Sequence, residues 1–116
     1  MTDKILAFTT CDSQAEAHRL ARALVDGNLA ACVNILPPVT SIYRWKGKIE
    51  ETPEWLLLIK TSAPLFENLK QQFPAMHSYE VPELIGVPIL DGAAPYLKWL
   101  DENLPAPPQS PPDDPT

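Results

Sequence analysis

Basic residues are scarce in this 116-residue chain: nine Lys and Arg stand against 15 Asp and Glu, for a formal charge of −6. With no basic cluster, it lacks the counterion-releasing surface that non-specific binding to a phosphate backbone requires, so no nucleic acid is expected as a partner. Cysteine is scarce too. Two of them exclude a disulfide framework. Only four glycines are present, and no GxGxxG, Walker A loop, HExxH, CxxC or GxSxG occurs, which removes support for dinucleotide, phosphate-loop, zincin and nucleophile-elbow chemistry. Long apolar runs are absent, so no helix is expected to span a membrane. The opening MTDKI has no basic n-region and Ile5–Phe8 is too short for an h-region. A reduced, cytoplasmic protein is expected.

Proline is plentiful and unevenly placed. Six of the 14 fall in Pro105–Thr116 (PAPPQSPPDDPT), a tail that cannot build a core and is expected to be disordered, leaving one domain over residues 1–104. Within that domain, Lys4–Thr9 reads as a strand. Ser13-Gln14-Ala15-Glu16 forms a capping box, followed by an apolar stripe at Ala17, Leu20, Ala21, Leu24 and Val25, with Gly27 placed to stop the helix at positive φ. Leu29–Leu36 and Val39–Trp45 are β-type runs interrupted by Pro37-Pro38. The turn Lys46-Gly47-Lys48 leads through Ile49–Glu54 into Trp55–Lys60, which together predict a long antiparallel hairpin. Ser62 caps a second helix, carried by Leu65, Phe66, Leu69 and Phe73 and ended by Pro74. A loop over 75–83, a strand over Leu84–Leu90 and a helix over Ala94–Leu104 complete the body.

The order is β-α-β-β-α-β plus a terminal helix, an α+β, ferredoxin-like arrangement: an antiparallel sheet with two helices on one face, a long hairpin of the second and third strands, and an extra C-terminal helix. Such a sheet should alternate apolar and polar residues, yet Trp55–Ile59 (WLLLI) is apolar on both faces. No spare element is expected to cover the second face, so a second copy of the chain is the expected cover.

Candidate site residues each have two readings. His77 can ligate a divalent metal with Glu80 or Glu83, or serve as an ordinary hydrogen-bonded histidine. Cys11, two residues before a helix cap, is either a reactive or metal-binding thiol or a buried inert one, and Met76 is a weak thioether donor. Tyr43, Trp45 and Tyr79 suit either a ligand cleft or packing at subunit contacts. Lys60 and Glu83 sit at strand ends, where a cleft can form or where charges are simply solvated. Cys32 reads as core, and His18 as a solvated helix residue.

The words LAACVNILPPVTSIYRWKGKIEE, LLLIKT, HSYEVPELIGVPI and YLKWL closely resemble the CutA divalent-cation-tolerance family over Ile5 to Leu104. The most specific stretches are Ala30–Ile35, Ser41–Glu50 and His77–Glu83. The resemblance implies a ferredoxin-like homotrimer with an architecture like that of the PII signalling proteins, association with copper tolerance and divalent-cation binding, and no established reaction. It places the family's copper ligands, a Cys and two adjacent His, on Thr9, Met76 and His77, of which His77 alone keeps the family residue; Glu83 or Glu80 would supply a carboxylate. The function expected is thus binding of a divalent metal (copper) or small ligand in inter-subunit clefts, with a PII-like structural or signalling adaptor trimer lacking a specific metal site as the alternative. An acylphosphatase-like hydrolase is disfavoured because Thr9-Thr10-Cys11-Asp12 offers no Arg to hold phosphate. RNA binding is disfavoured because the central strands carry aliphatic residues rather than exposed aromatics.

Overall fold

The computed structural model describes residues 2–106. Its elements run β1 (Lys4–Cys11), α1 (Gln14–Asp26), β2 (Cys32–Ile35), β3 (Val39–Trp45), β4 (Lys48–Ser62), α2 (Ala63–Met76), β5 (Ile85–Pro88) and α3 (Ala94–Glu102). The strands form one antiparallel sheet in the order β2-β4-β1-β5, with β3 also paired to β4. The tail expected to be disordered lies, from residue 107 onward, outside the described residues.

The hairpin forms as its composition predicts, with one difference. The prolines at 37 and 38 split the first arm into β2 and β3, while β4 continues past both for 15 residues. Lys46 (φ 50°) and Gly47 (φ 82°) both take left-handed conformations, the two-residue turn whose twist matches flanking antiparallel strands. The strand expected over Leu84–Leu90 shortens to Ile85–Pro88, and the last helix stops at Glu102.

Both serine caps are present: Ser13 Oγ accepts from the Glu16 amide at 3.1 Å, and Ser62 Oγ from the Leu65 amide at 3.4 Å. The return half of the expected capping box is replaced by an Arg19–Glu16 pair, with Arg19 Nε donating to Glu16 Oε2 at 2.9 Å. Gly27 does not take positive φ; it sits at −84°, and Asn28 (φ 60°) reverses the chain instead. Pro74 does not end α2. Although proline gives up its helical donor, the helix runs on to Met76.

In a strand, alternate residues face opposite sides. Ala7, Cys11, Leu57 and Ile59 pack beneath Ala17, Leu20 and Leu24 of α1 and Leu69 and Phe73 of α2, forming the core. Residues directly opposite share a face. The register Leu6↔Lys60, Phe8↔Leu58, Leu6↔Val87 and Phe8↔Ile85 therefore builds a second apolar face from Leu6, Phe8, Leu58, Ile85 and Val87, with Leu56 opposite Thr10 extending it. One end of it has a cover after all: Lys4 Nζ lies 2.6 Å from Asp101 Oδ1, and Lys60 Nζ lies 5.7 Å from the centre of the Tyr96 ring. These contacts put α3 on that side. Toward Ile85 (57% exposed) and Val87 (44%) the face stays bare.

A candidate ligand cleft on the uncovered face

Beyond Leu56, the same alternation puts Glu54 in line with Leu56 and Leu58. Here β1 ends, its last partner being Trp55, so Lys48–Glu54 of β4 pairs only with β3. The loop over 77–84 closes the opening. The result is a cleft of about 600 Å³ whose lining includes Thr10, Tyr43, Trp45, Glu54, Tyr79, Glu80 and Glu83. Among the described residues, no Lys, Arg or His lines it.

The loop is braced from behind by His77, which is 8% exposed. Nδ1 accepts the Tyr79 amide at 3.0 Å, so Nε2 carries the proton that it donates to the Thr10 carbonyl at 2.8 Å. The imidazole packs against Tyr79 (centroids 4.7 Å apart) and edge-on to Phe73 (5.5 Å). Tyr79 then donates its hydroxyl to Glu54 Oε2 at 2.7 Å. That bond satisfies one oxygen of a carboxylate that is 7% exposed. Burial, reinforced by Glu54, raises the Tyr79 pKa well above its usual value. Burial together with the Glu54 charge also raises that of Glu83.

Among the expected site residues, Tyr43, Trp45, Tyr79 and Glu83 meet in this cleft together with Glu80. Lys60 does not; it lies at the α3 end of the sheet, its Nζ 4.0 Å from Cys32 Sγ. His77 stands behind the wall with both ring nitrogens engaged. Cys11 is fully buried, and burial, with Glu16 adding to it, pushes its thiol up to about 11, which fits the inert reading. Met76 is half-buried against the core, and its carbonyl accepts from Arg19. Thr9, which occupies the position expected from the resemblance to hold a cysteine ligand, is fully buried, and its hydroxyl has no hydrogen-bond partner among the described residues. Among the described residues, no three His, Cys, Asp or Glu side chains form a group able to hold a metal ion. Glu54 was missed in the sequence, although its place in the row with Leu56 and Leu58 marked it as a carboxylate ending an apolar face.

The sheet, the helix pair on one side and the hairpin define a mixed α+β protein of ferredoxin-like fold, with a cleft on the face away from the pair. Residues 5–103 match the family described as CutA1 divalent ion tolerance protein, and the chain belongs to that family. It is 50% identical over 98 residues to "Divalent-cation tolerance protein CutA" of Thermus thermophilus, covering 84% of this chain and 95% of that protein. It is 49% identical over 94 residues to "Protein CutA" of Homo sapiens, covering 81% of this chain but only 52% of the human protein. The chain thus spans about half the length of that relative. The crystal structure of CutA from Xylella fastidiosa superposes with a TM-score of 0.85 at 41% identity, covering 90% of this chain and all of that one.

Proposed function

We propose that this chain is a non-enzymatic, cytoplasmic divalent-ion tolerance protein that assembles as a homotrimer and takes a divalent cation, copper among them, or a small ligand in clefts between subunits. The observation that carries the reading is the bare apolar face around Phe8, Leu58, Ile85 and Val87, set beside an acidic cleft. A face of this kind, left open by the chain's own helices, is suited to a neighbouring copy. Membership of a family named for divalent-ion tolerance supports the cation. In this reading Glu83 offers an oxygen donor inside the cleft. His77 would join it only by giving up the Tyr79 amide, because neither ring nitrogen is free.

That engagement of His77 favours a second reading, a PII-like adaptor trimer with no specific metal site. Two measurements separate the readings. Light scattering should give about three times the 12.9 kDa of one chain, and a particle of single-chain mass overturns the assembly. Calorimetric titration of copper into the wild type, Glu83→Gln and His77→Ala then tests the site. Saturable binding weakened in Glu83→Gln supports the metal reading. A trimer that binds no copper leaves the adaptor.

A further inference from the structure

We infer that the cleft holding Glu54, Tyr43, Trp45 and Tyr79 is a site for an organic cation bearing N–H groups, an alkylammonium or a guanidinium. The inference rests on the cleft being a ligand site, as proposed above, and names the chemistry of what enters it. Three carboxylates, Glu54, Glu80 and Glu83, line one cavity, and no basic residue is among its lining residues in the described part of the chain. Lys46, on the exposed hairpin turn, reaches the rim, with its Nζ 3.9 Å from Glu80 and 5.6 Å from the centre of the Trp45 ring, so Glu54 and Glu83 are the carboxylates left to an incoming cation. Glu54 is the decisive residue. It is 93% buried, its Oε2 is taken by Tyr79, and its Oε1 has no partner among the described residues. That oxygen is not sealed off, since among the described residues the Thr9 hydroxyl alone is both buried and unpaired, so Oε1 is placed to accept from an N–H donor that enters the cleft.

The walls select the kind of donor. Tyr43, Trp45 and Tyr79 bring three aromatic rings to the same cavity, and an aromatic face attracts a cation lying over it. A compact metal ion needs several donors converging on one point, whereas the acidic side chains here share a cavity without grouping around a common centre. An organic cation has no such requirement. It can place one N–H on Glu54, another charged end toward Glu83, and its carbon skeleton against the rings. Near 600 Å³, the cavity lies within the range of small-molecule sites.

The test is calorimetric titration of the full chain with agmatine, which carries a guanidinium at one end and an ammonium at the other, run in parallel with copper chloride. Agmatine should bind saturably and lose affinity as salt is raised. Glu54→Gln keeps an acceptor for Tyr79 and removes the charge, so binding should weaken about ten-fold, the cost of one charge-assisted hydrogen bond. Trp45→Ala, on a half-exposed side chain beside the turn, should weaken it about three-fold. Copper bound without agmatine overturns this inference and leaves the proposed function standing. Neither ligand bound overturns this inference and the copper reading together and leaves the adaptor. Agmatine bound with equal affinity by wild type and both variants removes the site from this cleft.

Discussion

Tyr79 is the residue on which the cleft turns. Its amide is held by His77, its ring by the imidazole, and its hydroxyl holds Glu54. Tyr79→Phe removes only that hydroxyl and leaves Oε2 of the buried Glu54 without its donor, so stability should fall by about 2 kcal/mol. The same change in a Glu54→Gln background should cost clearly less, since an amide is cheaper to strand than a charge. Urea denaturation of the four proteins reads the coupling, and a loss below about 0.5 kcal/mol in the single variant would sink the account. At this scale the sequence was only partly legible. Tyr43, Trp45, Tyr79 and Glu83 stood out by residue type and do converge. The role of His77 was hidden because its partners are backbone groups, one of them at Thr10, 67 residues away. Glu54 was hidden because its importance comes from burial, which no local word encodes.

Elements were read best where their causes are local. Ser13 and Ser62 cap the helices they precede because a hydroxyl reaches an amide three residues on. Local preference erred where two solutions compete, as at Gly27, where Asn28 takes the left-handed turn. Pro74 misled as well: it gives up its backbone donor inside the last turn of α2, yet the helix runs two residues past it. The hairpin turn offers a clean measure of such terms. Gly47, at φ 82° with open space where a Cβ would go, meets no steric neighbour, so Gly47→Ala isolates backbone strain. It should destabilise by about 1 kcal/mol. A thermal scan showing equal or higher stability would mean that the turn relaxes freely.

The whole molecule was legible in the order of its elements and in the two-sided apolar character of Trp55–Ile59. What escaped was α3, read as a mere extension, which folds onto one end of the second face through Asp101 and Tyr96. The remainder sets up a test of assembly. Val87 is 44% exposed in the single chain, so Val87→Glu should cost an isolated monomer at most about 0.5 kcal/mol. If a neighbour covers it, the substitution buries a charge, and the mass by light scattering should fall from that of the proposed trimer toward 12.9 kDa. A variant that retains the wild-type mass places the contact elsewhere.

The length of β4 has one more effect. Residues 55–62 are flanked by strands on both sides or by β1 at least, whereas residues 48–54 lean on β3 alone. A single strand therefore has a locked half in the core and a half that can breathe beside the cleft. Within β4, amide deuteration should accordingly run from the hairpin tip inward and reach Glu54 before the half that β1 holds.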